Sequence, residues 1–353
     1  MTHFGTPPKV CPYMRIFIQA VLAFLFMLAI PCGASYDNMP TPPPDTRTGT
    51  DVKQAEKARV KRGIRWYRSP DRETAVKQME LAGKLEKEER WRKAANAYQA
   101  LVYAWPDSPE APKAQLALAQ LQEKRQLYDR AFDEYQYLFD FYPGQFNYQN
   151  VLDRQFKIAH YLMETPKGAF LFFRGFEAPE RALPLFEKII RNGPTWEKAA
   201  LAQLNIGIIH ELNEEEEEAV TAYEIVQNRY SDEALSAQAS FREGHCLYKL
   251  YLTRPKDENC CNAARAALVQ FIRSYPSHEK VTEARSFLLA LNNQQELRAF
   301  ELAQYYDQIA NRPKSALIAY EEFLKKYYAS TLAPQARERI DVLKKETNRH
   351  EKK

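Results

Sequence analysis

The chain has 353 residues, enough for one long or two ordinary domains. Only 11 are Gly, beside 21 Tyr and 19 Phe, which excludes the many tight turns of an all-β fold, while the Ala, Leu, Glu, Lys and Gln content favours helix. Charged residues make up 27% and nearly cancel, leaving +4, too small an excess to point to a nucleic-acid partner.

Residues 1–34 read as a signal peptide. Lys9 and Arg15 precede an apolar run from Ile16 to Pro31, with small residues at Cys32, Gly33 and Ala34. Its core, AVLAFLFMLAI, is shorter than the roughly 20 residues of a membrane-spanning helix. An uncleaved anchor is the other reading of the same run. Two cleavages fit: signal peptidase cutting after Cys-Gly-Ala and before Ser35, or lipid modification at Cys32, with Pro31 standing where Gly, Ala or Ser is usual. Acylation of Cys32 would attach the chain to a membrane through its lipid. Residues 35–73 are expected to be a linker. The stretch YDNMPTPPPDTRTGTD is Pro- and Thr-rich without apolar periodicity, and the basic stretch that follows either touches anionic head groups or is a solvated tether.

From residue 74 to 346 one register recurs. An Ala is followed four residues on by a ring or large apolar side chain, and eight further on by Pro or another turn residue. Ala94, Tyr98 and Pro106 show it, as do Ala131, Tyr135 and Pro143, then Ala182, Phe186 and Pro194. Ala219, Tyr223 and Ser231 follow, then Ala264, Leu268 and Pro276, and Ala316, Tyr320 and Tyr328. Residues four apart share a helix face, so the Ala admits a neighbouring helix while the ring fills the space beside it. Pro then stops the helix because it cannot donate to the ladder. Before three of these anchors stand the small residues Ala82, Ala119 and Gly207, the expected close-packing points of a first helix on its second. The pattern predicts an all-α fold: a solenoid of about six antiparallel helix pairs wound as a right-handed superhelix, followed by a charged tail at 347–353.

This register resembles the tetratricopeptide repeat, best in the units anchored at Ala94, Ala131 and Ala219. Units three and five depart from its period through insertions at Lys167–Glu177 and Thr253–Ala263. The first is rich in Phe (Phe170, Phe172, Phe173, Phe176) and is either a docking loop or a loop folded back over the stack.

No catalytic residue, metal ligand set or cofactor motif stands out. His3, His160, His210, His245, His278 and His350 show no metal-binding spacing, and no GxSxG, GxGxxG or phosphate-cradling loop is present. Cys246, Cys260 and Cys261 are candidates for a disulfide in an oxidising compartment, for a metal site with His245, or for free thiols. Glu214–Glu218 follows Asn213, read as an N-cap, and so is expected to open a helix whose N-terminal dipole favours negative charge.

A stack of this kind binds through its first helices. Glu86, Lys87, Gln120, Glu123, Lys124 and Glu211 are the candidate groove residues, with Gln203 and Leu212 beside them, either facing a peptide or lying exposed without a partner. The phrases AANAYQALVYAWPDSPEAPKAQ, RAFDEYQYLFDFYP and ELAQYYDQIANRPKSALIAYEEFLKKYYAST resemble the outer-membrane lipoprotein family of the β-barrel assembly machinery, the BamD family. The resemblance implies a non-enzymatic scaffold at the periplasmic face of the outer membrane or in the periplasm. It implies as partners the β-barrel insertase, accessory lipoproteins and unfolded barrel substrates, with substrate on units one and two and the insertase on the C-terminal units. The other reading is a Tol-Pal-associated repeat protein of envelope constriction. That family carries an N-terminal coiled coil, and residues 52–73 hold no sustained heptad.

Overall fold

The computed structural model describes residues 69–166 and 178–351. The signal peptide, Cys32, nearly all of the linker, and Phe170, Phe172, Phe173 and Phe176 lie outside the described residues. The chain divides into Met1–Thr48 and Gly49–Lys353, and everything described belongs to the second unit.

Every described element is helical. The first three pairs are α1 (Ala75–Lys87) with α2 (Trp91–Ala104), α3 (Ala111–Lys124) with α4 (Tyr128–Phe141), and α5 (Tyr148–Glu164) with α6 (Leu183–Asn192), the last entered through a 3-10 turn at Pro179–Ala182. The next three are α7 (Ala199–Leu212) with α8 (Glu216–Arg229), α9 (Glu233–Thr253) with α10 (Glu258–Ser274), and α11 (Val281–Gln304) with α12 (Pro313–Lys326). A single helix, α13 (Ala333–Glu351), closes the series. Its backbone runs on through most of the stretch read above as a charged tail, because nothing in residues 347–351 breaks a helix. Each helix packs on its neighbour in sequence, and α9 also touches α7 and α11, so the pairs stack as a solenoid.

The pairs close over small residues. Ala82, Ala119 and Gly207 of the first helices are buried, as are the anchors Ala94, Ala131, Ala182, Ala219, Ala264 and Ala316 with Tyr98, Tyr135, Phe186, Tyr223, Leu268 and Tyr320. Burying each ring contributes about 2–3 kcal/mol. In the remaining pairs the close-packing residue sits further from its anchor than the repeat spacing suggests. It is Ala159 on α5, Gly244 on α9 facing Leu268, and Ala303 on α11. Residues 167–177 displace the first, and the insertion entering α10 displaces the second. The third is shifted by a π turn at Tyr305–Ile309, which adds one residue before α12. Pro106 and Pro143 follow the C-caps Trp105 and Tyr142 and stop α2 and α4.

In three of the pairs the internal turn has one design. After α1, α3 and α7 the chain takes a left-handed residue, Glu89, Gln126 or Glu214, at φ of 58, 58 and 61°. In the second case the Gln126 N–H donates to the Glu123 carbonyl at 2.8 Å and the Leu127 N–H to Gln122 at 3.0 Å, the paired bonds of a Schellman cap. Glycine usually holds that position, and none is present here. An L-residue there costs about 1–2 kcal/mol, of which glycine's extra unfolded-state freedom takes back about 0.5–1. Gln126→Gly is therefore expected to stabilise the protein by about 0.5 kcal/mol, read as a raised urea midpoint with an unchanged slope. The same cap corrects the reading of the acidic run. Asn213 is the C-cap of α7 and not an N-cap, Glu214 is the left-handed residue, and only Glu216, Glu217 and Glu218 occupy the first turn of α8.

Candidate partner-binding surface

The first helix of each well-formed pair carries an acid one turn beyond its small residue, and the structure turns that acid inward. Tyr98 Oη donates to Glu86 Oε2 at 2.7 Å, Tyr135 Oη to Glu123 Oε2 at 2.7 Å, and Tyr223 Oη to Glu211 Oε2 at 2.9 Å. The tyrosine is the anchor ring of the second helix, so the bond ties the two helices of one pair. An arginine from the following element then takes the same carboxylate. Arg154 on α5 reaches Glu123 at 3.0 Å, and Arg242 on α9 reaches Glu211 at 2.8 Å. The π turn preserves this clasp in the last pair, where Asp307 accepts from Tyr320 at 3.4 Å and from Arg339 of α13 through two bonds of 2.8 Å.

Burial, and then the adjacent carboxylate, pushes all four phenols above their ordinary range, to about 12 for Tyr320. They therefore stay protonated and act as donors. Glu211 is more enclosed than Glu123. Burial alone would raise its pKa, but bonds from His245, Tyr223 and Arg242 outweigh that and hold it at about 2. His245 Nδ1 lies 3.3 Å and Lys249 Nζ 3.8 Å from its other oxygen.

A second recurring polar group escaped the sequence reading. Four residues before each small residue of α1, α3, α5 and α7 stands a buried glutamine: Gln78, Gln115, Gln155 and Gln203. Three of them donate to a carbonyl of the second helix, Gln78 to Ala97 at 3.1 Å, Gln115 to Glu134 at 2.8 Å and Gln203 to Ala222 at 3.3 Å. Gln155 bonds Gln136 instead, at 3.3 Å. The signal was present as Gln-x-x-x-small, and it places Gln203 in the packing of its own pair.

Of the six groove candidates, then, Glu86, Glu123 and Glu211 are engaged inside the stack. Lys87 and Lys124 are exposed and Gln120 is half-buried, while Leu212 presents its side chain to solvent at 57% exposure. Cys246, Cys260 and Cys261 are free thiols, which corrects the disulfide reading. Cys246 packs beneath Tyr223 and Val226, whereas Cys261 belongs to the core of Phe241, Leu268 and Phe271, so the two face different layers. Burial pushes the Cys246 thiol up to about 12, out of the reactive range. Among the described residues no group of three or more His, Cys, Asp or Glu is placed to hold a metal, and no helix is long and apolar enough to cross a membrane.

Family profiles match two parts of the chain. The outer membrane lipoprotein profile YfiO, which is BamD-like, covers residues 205–353, and a tetratricopeptide repeat profile covers residues 82–146. No curated protein matches. Among solved structures, a thermophilic TPR protein of Thermus thermophilus is 18% identical, with 61% of this chain and 100% of that one covered and a TM-score of 0.27. YrrB, described as a TPR protein with an unusual peptide-binding site, is 16% identical over 67% of this chain and 97% of its own, at 0.31. A tetratricopeptide repeat protein from Parabacteroides merdae is 12% identical over 76% and 98%, at 0.27. Likenesses of this size carry no argument.

Proposed function

We propose that this BamD-like tetratricopeptide-repeat chain is a scaffold of outer-membrane β-barrel assembly, working at the periplasmic face. The observation that carries this reading is the outer membrane lipoprotein match over 205–353, which runs from within α7 to α13 and includes both of the C-terminal clasps. In this reading the C-terminal pairs hold the barrel-forming insertase and accessory lipoproteins, and the first two pairs meet unfolded barrel substrate. The chain contributes rigid shape rather than chemistry, since its inward acids are spent on tyrosine and arginine. Anchoring is through an acylated Cys32.

Affinity purification from the native envelope tests the scaffold reading. Recovery of a large β-barrel protein is expected. Recovery of Tol or Pal components without it would sink the proposal. Acyl labelling of wild type against Cys32→Ser tests the anchor, and equal labelling of the two would exclude that residue.

A further inference from the structure

The turn edge of the first two pairs carries cations that form no ion pair among the described residues. Arg92 and Lys93 lie in the first turn of α2, Lys124 and Arg125 at the end of α3, and Arg130 in the first turn of α4. None of the five forms an ion pair with a described residue, whereas their neighbours Lys84 and Arg90 both reach Glu88, at 4.0 and 3.3 Å. Burial, and then the like charges of Arg92 and Arg130, lowers the Arg125 pKa, so three guanidinium groups repel one another here. Glu89, Arg90, Trp91, Arg92, Lys93 and Arg125 line a cleft of about 530 Å³, and Lys124 Nζ sits 4.0 Å above the Trp91 ring. A cluster of like charges opposes compactness, and its positive field concentrates anions at the cleft.

We propose that this cleft takes an acidic peptide segment of a partner protein, with carboxylates paired to Arg92, Lys93 and Arg125 and apolar contact from Trp91. The proposal rests on the scaffold reading and adds the chemistry of one bound segment. Two observations favour a peptide over other anions. Trp91 is half-buried under Lys124, and residues 84–93 and 122–130 include no large exposed apolar side chain to enter a bilayer. A second copy would have to offer its own acidic run, and that run is already engaged: Glu215 with His210 at 2.8 Å, Glu216 with Lys249 at 3.7 Å, Glu217 with Arg254 at 2.6 Å.

Fluorescence anisotropy of a labelled deca-glutamate peptide with the full chain tests this. Binding is expected to weaken about tenfold in the Arg92→Glu/Lys93→Glu/Arg125→Glu variant, and to fall with salt. A control with the same charge change in the fifth and sixth pairs, Lys256→Glu/Arg285→Glu/Lys325→Glu, is expected to stay within about twofold of wild type, since exposed charges more than a Debye length away are screened. Equal losses in both variants would reduce the effect to net charge and overturn the proposal, as would absence of peptide binding. Phosphatidylglycerol vesicles that depend on the same three residues, with no peptide binding, would overturn it in favour of lipid. If the envelope purification recovers partners while the peptide fails, only this inference falls; if no partner is recovered, the scaffold reading falls with it.

Discussion

Gly207→Val is expected to be the most damaging single change in the stack, at about 3 kcal/mol or more. A Cβ on residue 207 would lie 2.7 Å from Tyr223 Cδ1 and 2.9 Å from Cζ, with Cε1 nearer still. The ring has no way out, because it is fully buried and its hydroxyl is held by Glu211. Even Gly207→Ala should destabilise by about 1–2 kcal/mol, although alanine gains up to about 1 kcal/mol in helix propensity. Gly244→Ala is the internal comparison. Its nearest obstacle is Leu268 Cδ2 at 2.9 Å, the end of a flexible side chain that can turn aside. The two alanine variants should therefore separate in a urea melt, and equal loss at both would refute the account of the close-packing point.

Glu211→Ala is expected to cost about 3 kcal/mol, because it strips Tyr223 and Arg242 of their shared acceptor inside the stack. The same group imposes a pH dependence. Its carboxyl sits at about 2 in the folded chain against an ordinary 4.5, so the folded pKa is depressed. Stabilisation from a depressed acid is complete above the unfolded pKa and is lost as pH falls through the folded one, here between about 4.5 and 2. The depression corresponds to about 3 kcal/mol. Urea melts of wild type should weaken across that window more steeply than those of Glu211→Gln, which keeps the shape and lacks the titration. Parallel curves would show that the clasp contributes little.

The stack was legible because its packing rule is local. Small residue, ring and Pro recur within one helix and its end, and each was readable without knowing what lies opposite. The clasps were legible only in part. Glu123 and Tyr135 stand at a repeating spacing, but Arg154 comes from the next unit, and sequence alone makes Glu123 one more acid on a helix face. Gln78 and Gln115 were overlooked for a related reason, since a glutamine at a helix start reads as surface until the facing carbonyl is known. The shifted small residues Ala159, Gly244 and Ala303 were hidden by added residues, and a fixed spacing cannot anticipate where a π turn or an insertion falls. The left-handed Glu89, Gln126 and Glu214 left no trace at all, because no glycine marks them.

Helix α11 serves two masters. Its first half, through Val281, Ala284 and Leu291, belongs to the core around Phe271, and its second half, through Phe300 and Ala303, to the core of α12 and α13. Between Leu291 and Phe300 it buries no side chain. Helices α12 and α13 are thus welded to the rest of the molecule by one rod rather than by a shared interior, and cooperativity should falter at that rod. Two melting events, the C-terminal one first, would mean that a single unfolding free energy does not exist for this protein.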